Sequence, residues 1–181
     1  MKLTYSLHAF LLLVLGLFLA SCGSAQEKAA AGDDDTQATA VTTFYLVRHA
    51  EKQDGEDPAL TDEGTERAAR LATILADKDI KAVYSTATKR TQMTAAPTAA
   101  AYGLTVQDYD AGDLAGFAAT VKQGHRGENV LIVGHSNSTP SLANEISQNS
   151  TLERFDESDF GNLIVIEVPA EGGATVREDR Y

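Results

Sequence analysis

The run Thr42-Thr43-Phe44-Tyr45-Leu46-Val47-Arg48-His49-Ala50-Glu51-Lys52 places a histidine where a β-branched and aromatic stretch stops. A second run, Asn129-Val130-Leu131-Ile132-Val133-Gly134-His135-Ser136-Asn137, does the same. Apolar runs of this length read as buried strands, and each delivers its histidine to the strand's carboxyl end. In open α/β sheets that edge is where ligands bind. Arg48 beside the first histidine offers a planar fork of donors matched to phosphate or carboxylate oxygens. The pattern predicts an anion site, and a phosphoryl group is the anion it suits.

Outward from these two runs, strand and helix patterns alternate, which predicts an α/β fold: a three-layer α/β/α sandwich with a mostly parallel central sheet. The first strand covers Thr42 to Arg48. After a Gly/Asp/Pro loop, Thr61 caps a helix whose first turn carries Asp62 and Glu63, whose inner stripe is Ala68, Leu71, Ala72 and Leu75, and which ends near Lys78. Ile80 to Ser85 reads as a strand and Thr88 to Tyr102 as a helix stopped by Gly103, with Pro97 expected to kink or interrupt it. Leu104 to Tyr109 reads as a strand, Asp113 to Gln123 as a helix and Asn129 to Gly134 as a strand. Ser138 to Ser147 reads as a helix with Pro140 in its first turn. Asn162 to Val168 and Ala174 to Glu178 complete the sheet.

The start of the chain stands apart. Met1-Lys2 leads into an almost unbroken apolar stretch from Leu7 to Ala20, which reads as a signal peptide and is shorter than the roughly 20 residues of a spanning helix. Leu19-Ala20-Ser21-Cys22 resembles the lipobox of bacterial lipoproteins, which implies a signal over residues 1–21 and a diacylglyceryl group on Cys22. Two acyl chains make such an anchor stable. The expected location is the bacterial cell envelope on the extracytoplasmic side, with the outer membrane preferred because Gly23, not an acidic residue, follows the cysteine. Residues 22–40 are rich in Ala, Ser, Gln and Asp and read as a flexible tether. Residues 41–181 then form one domain of ordinary size.

Composition narrows the chemistry. Cys22 is the one cysteine, so disulfides, a cysteine nucleophile and Cys-ligated metals are excluded from the mature domain. The 15 basic and 26 acidic residues give a formal charge of −11, and loss of Lys2 with the signal makes it more negative. Nucleic acid is therefore not an expected partner. The general field also opposes polyanions, and small phosphomonoesters suffer least.

A second stretch with chemistry in it runs from Tyr84 to Ala95, leaving a strand and starting a helix. Arg90, in that helix's first turn, reads on spacing alone as a solvated residue; together with His49 it reads as a second anion ligand, aided by the helix amino terminus. At this point the chain resembles the histidine phosphatase superfamily, with its phosphoglycerate mutases and phosphohistidine phosphatases. Arg48-His49-Ala50-Glu51 is similar to its Arg-His-Gly/Ala-Glu signature, and Ser85 through Arg90 to Thr94-Ala95 to its Ser-Ser-Pro-Leu-x-Arg-Ala-x-x-Thr-Ala segment. Gly134-His135 is similar to its second histidine motif and Leu60-Thr61-Asp62-Glu63-Gly64 to its Leu-Thr/Ser-x-x-Gly helix start. The resemblance implies a phosphoglycerate mutase-like fold and a metal-independent phosphatase without a cofactor. It also implies His49 as nucleophile, Arg48 and Arg90 as phosphate clamps and His135 as a further phosphate ligand.

The chemistry fits those roles: a neutral imidazole attacks phosphorus and gives a phosphohistidine that water hydrolyses, while the arginines and His135 stabilise the equatorial oxygens. The expected substrate is a small phosphomonoester or a phosphohistidine protein. The family often places a general acid after the strand corresponding to Leu104–Tyr109, and this chain has no Leu-x-Glu match there. Asp110 is the best-placed carboxylate and Asp108 the second, and both also fit as turn or cap residues. Lys52 reads as a solvated lysine or a residue of the pocket mouth. His125, flanked by Gly124 and Arg126, reads as a surface residue of the opposite edge, not a metal ligand. A phosphate- or phosphoprotein-binding lipoprotein without turnover and a phosphoglycerate mutase-type phosphotransferase are the alternatives. Mutases, however, resemble longer chains with insertions that enclose the substrate.

Overall fold

The structure, a computed structural model, describes residues 40–181. The expected signal peptide, Cys22 and the expected tether up to residue 39 lie outside the described residues. The chain runs β1 (Val41–Arg48), α1 (Asp62–Ile74), β2 (Ile80–Ser85), α2 (Lys89–Ala101), β3 (Val106–Asp108), α3 (Leu114–Gly124), β4 (Asn129–Gly134), α4 (Ser138–Ser147), β5 (Asn162–Pro169) and β6 (Thr175–Arg180). The six strands form one sheet in the order β3-β2-β4-β1-β5-β6. The pairs β3–β2, β2–β4 and β4–β1 are parallel, while β1–β5 and β5–β6 are antiparallel.

Alternation along the central strands divides the core into two layers. Phe44 and Leu46 of β1, Val130 and Ile132 of β4, and Ile164 and Ile166 of β5 meet Ala118 and Val121 of α3 and Leu142 and Ile146 of α4. The intervening residues Tyr45, Val47, Leu131, Val133, Leu163 and Val165 meet Leu71 of α1 and Ala95 and Ala99 of α2 on the other face. With both faces covered, each central strand reads as a continuous apolar run. The fold is the three-layer, mostly parallel sandwich that the alternation predicts.

This arrangement also opens a crevice. The helix that follows β1 packs on one face of the sheet and the helix that follows β4 packs on the other, although the two strands are neighbours. Chains leaving adjacent parallel strands in opposite directions create the switch point at which α/β sheets bind ligands. His49 and His135 follow these two strands.

Several boundaries differ from the sequence reading. Helix α1 ends at Ile74, short of Lys78, because the chain tightens into i→i−3 bonds (Ala76 N–H to Thr73 O, 3.3 Å; Lys78 N–H to Leu75 O, 3.0 Å) and turns at Asp79, whose φ is 48°. Pro97 does not interrupt α2, since Ala95, Thr98 and Ala99 are buried on either side of it and packing overrides the missing N–H. Strand β3 is only three residues long. The N–H of Leu104 is spent on Ala99 O at 2.9 Å, closing the turn at Gly103, so pairing starts at Val106.

Candidate functional site

The parallel register of β1 and β4 brings the two histidine runs together. Pairing ends at Arg48 opposite Gly134, and His49 N–H donates to Gly134 O at 2.9 Å. Position 134 has room for nothing larger than glycine: a Cβ there would lie 2.7 Å from the Tyr109 hydroxyl and 2.8 Å from Thr139 Oγ1. The imidazole rings of His49 and His135 stand edge to face, 5.6 Å apart.

Hydrogen bonds assign both tautomers. His49 Nδ1 lies 2.8 Å from Ala50 O, which can only accept, so Nδ1 carries the proton and Nε2 keeps its lone pair. His135 Nδ1 lies 3.5 Å from Arg90 Nη2, which can only donate, so the proton sits on Nε2 and is given to Thr86 Oγ1 at 2.9 Å. Thr86 in turn donates to Thr91 Oγ1 at 3.0 Å. Burial, reinforced by Arg48, Arg90 and His135, lowers the pKa of His49 to about 4. Burial, with Arg90 and Arg48, lowers that of His135 to about 4, against an opposing pull from Glu157. Both rings are neutral at pH 7.

The arginines come from two elements. Arg48 ends β1 with its side chain 2 % exposed; its Nη1 donates to the carbonyls of Asp156 (2.9 Å), Glu157 (3.0 Å) and Asp159 (3.1 Å), and its Nη2 to Glu157 Oε2 (2.9 Å). Its guanidinium carbon lies 4.2 Å from the centroid of the Phe160 ring, which also leans on His49. Arg90 sits in the first turn of α2, beside His135 and 3.8 Å from Asp57. The Nε atoms of both arginines are buried with no partner among the described residues. A buried, unpaired donor costs about 1–3 kcal/mol, and two of them around one pair of histidines mark a place built for an acceptor.

The remaining motif residues hold this arrangement. Thr94 accepts from Ala50 N–H at 3.0 Å and donates to Arg90 O at 2.8 Å, tying α2 to the loop after β1. Glu51 is gripped by Arg67, whose Nε lies 2.8 and 2.9 Å from its two carboxylate oxygens. Thr61 N–H donates to Glu51 O at 3.0 Å, and its hydroxyl caps α1 through Gly64 N–H. A Cβ on Gly64 would stand 2.1 Å from that same Glu51 carbonyl. The Leu60-Thr61-x-x-Gly64 run is therefore the seat of α1 against the end of β1.

Of the residues singled out from sequence, His49, His135, Arg48 and Arg90 meet in the crevice. Asp110 does not join them directly. It lies exposed in a turn, accepting from Gly112 N–H at 2.8 Å, on a shallow groove that Thr86, Thr88, Asp108, Ala111 and His135 also line. Asp108 is held by Gln92 Nε2 at 2.5 Å. Lys52 is exposed, and its Nζ donates to Gln53 O at 3.4 Å. His125 is a correction: it is half-buried, not a surface residue, because its ring bridges Tyr84 Oη (2.9 Å) and Glu128 Oε2 (2.7 Å) across the end of α3. Sequence reasoning missed Thr86, Ser136 and the segment 152–160. The signal for that segment was a pair of phenylalanines, Phe155 and Phe160, in an otherwise charged loop.

A family model described as "Histidine phosphatase superfamily (branch 1)" matches residues 44–111, which include Arg48, His49 and Arg90. No curated protein matches the chain. Among solved structures, the protein histidine phosphatase SixA complexed with tungstate is similar with a TM-score of 0.62 and 17% identity over 76% of this chain and 96% of that one. A mycobacterial glucosyl-3-phosphoglycerate phosphatase has a TM-score of 0.61 and 11% identity over 78% and 98%. The phosphoglycerate mutase of Plasmodium falciparum has a TM-score of 0.57 and 19% identity over 77% and 91%. At these identities the likeness is one of fold, and the fold is phosphoglycerate mutase-like.

Proposed function

We propose that this chain is a histidine phosphatase, hydrolysing a phosphomonoester or a phosphohistidine through a covalent intermediate on His49. One observation carries the reading: the unprotonated Nε2 of His49 lies in a crevice with two guanidinium groups whose Nε–H donors have no partner among the described residues. Nε2 attacks phosphorus, the bond from phosphorus to the leaving atom breaks, and that atom takes a proton from Asp110 or from water. Water then attacks the phosphohistidine, releasing phosphate and restoring His49. Arg48, Arg90 and His135 bind the equatorial oxygens and supply the positive charge that phosphoryl transfer requires. The name of the SixA neighbour supports a phosphohistidine protein as one substrate class.

Residues 22–181 are expected to hydrolyse an aryl phosphate in the presence of a chelator, and His49→Ala to lose at least about 10³-fold in kcat, since the covalent route itself is gone. Rapid quench with a labelled phosphodonor should show acid-labile label that His49→Ala lacks. Activity that persists in that variant would remove His49 from the mechanism. Phosphate binding without label would favour the non-catalytic binder, and transfer to a second substrate hydroxyl the mutase-type reaction. The lipobox supports attachment through Cys22 to the envelope, on the extracytoplasmic side. Fatty-acid labelling and membrane fractionation are expected to be lost together in Cys22→Ala; a Cys22→Ala chain that stays with the membrane would overturn the anchor.

A further inference from the structure

Between α4 and β5 the segment 152–160 crosses the crevice as a strap, fastened by Leu152 N–H donating to Asn144 Oδ1 at 2.8 Å and by Phe155 N–H donating to Ser136 O at 3.0 Å. Its Glu157 makes contacts on several sides. Oε2 accepts from Arg48 Nη2 at 2.9 Å, Oε1 accepts from Ser136 Oγ at 2.8 Å, and Arg154 of the same strap donates to Oε1. One carboxylate thus joins the arginine that ends β1 to the residue that follows His135. Backbone carbonyls of Asp156, Glu157 and Asp159 hold the other terminal nitrogen of Arg48.

An ion pair with a 62 % exposed partner contributes little to stability. The pair has a geometric effect instead. A guanidinium on a flexible stem has several ways to face a phosphate, and holding both terminal nitrogens removes all but one. We propose that Glu157 is a positioning residue of the phosphoryl site: by gripping Arg48 at Nη2 and Ser136 at Oγ, it sets the guanidinium so that Nε–H is the donor reserved for phosphate. This inference rests on the phosphatase reading of the crevice. The charge of Glu157 has a second effect, on His135. The charged groups around that ring are Arg48 from β1, Arg90 from α2 and Glu157 from the strap, with His49 as the other titratable neighbour and Asp108 and Asp110 on the groove that His135 lines. Glu157 opposes the two arginines there and favours the protonated ring.

The test uses Glu157→Gln and Glu157→Asp in the 22–181 chain, with three readouts. Calorimetry with inorganic phosphate should show affinity falling about tenfold or more in Glu157→Gln, the scale of one charge-assisted hydrogen bond. With an aryl phosphate, kcat should fall by a similar factor while the melting temperature stays within about 2 °C, as befits an exposed pair. Proton NMR should show the His135 titration moved to lower pH. Glu157→Asp keeps the charge but is one methylene short, so it should restore the His135 titration and leave kcat depressed. Wild-type phosphate affinity and kcat in Glu157→Gln would overturn the proposal, and so would tighter phosphate binding with raised kcat/KM, which would make the carboxylate a competitor. Calorimetry and NMR require no turnover. If the wild-type chain hydrolyses nothing and takes no label, the phosphatase reading fails while these two measurements still decide the role of Glu157.

Discussion

The pKa of a histidine measures how far its surroundings tolerate a charge, and His49 and His135 share surroundings that oppose one. Both are pushed from 6.5 to about 4, chiefly by burial and then by the arginines. For His49 the consequence is an imidazole that stays unprotonated across the neutral range, as the proposed nucleophile must. There is also a consequence for stability. The unfolded chain binds protons on both residues from about pH 6.5 downward, whereas the folded chain resists until about pH 4. Their contribution is therefore whole above pH 6.5 and is lost as the pH falls toward 4, at no more than about 1.4 kcal/mol per unit for each ring. Because the rings are neighbours, the protons go on as a coupled pair. Urea midpoints measured between pH 7 and 5 should fall, and the double variant His49→Asn/His135→Asn should flatten that slope. The carboxylates with depressed pKa values, Glu157 and Asp159 at about 2, act in a separate window below their ordinary values of 4.5 and 3.8. At this scale the positions of His49, Arg48 and His135 were legible because each is marked by residue type at a strand end, and that of Arg90 because it stands in the first turn of a helix. Glu157 was not: it is an ordinary acidic residue in an acidic loop until the strap is folded over Arg48.

Elements were legible to the degree that local signals acted alone. Strand Asn129–Gly134 and helix Ser138–Ser147 have the bounds that their patterns predict, since a β-branched run and an apolar-striped segment with proline in its first turn leave little choice. Where the outcome depended on a neighbour, the reading slipped: β3 lost its first residues to a turn, and α2 kept its proline inside because the sheet holds both sides of it. The start of α1 lies between these cases. Thr61 and Gly64 are read as cap and helix residues from sequence, yet the need for glycine comes from the Glu51 carbonyl 2.1 Å from where a Cβ would stand. Alanine is the better helix former by about 1 kcal/mol, so an isolated helix would gain from Gly64→Ala. In the folded chain we expect the clash to reverse the sign and cost about 2–3 kcal/mol. A melting temperature lower by about 5 °C or more would show it. Thr61→Ala, which removes the cap on Gly64 N–H and a long bond to Glu51 O, should cost about 1 kcal/mol. A neutral or stabilising Gly64→Ala would mean that α1 is not seated on Glu51.

For the molecule as a whole, the decisive fact is the placement of β4 between β1 and β2. Sequence order makes β1 and β4 strangers, separated by two strands and three helices, and the sheet makes them neighbours in register. With α1 and α4 then packed on opposite faces, the crevice between the two strand ends follows from topology. The sequence by itself determined that the chain is α/β, where most elements lie, and that two histidines and two arginines stand at element ends, because periodicity, caps and residue chemistry are local. The tertiary structure alone decided that these four residues share one crevice, which proton each imidazole carries, and that a strap brings Glu157 onto Arg48. Those features depend on hydrogen bonds and contacts between residues far apart in the chain, and no local pattern encodes which distant carbonyl or carboxylate will meet a given side chain.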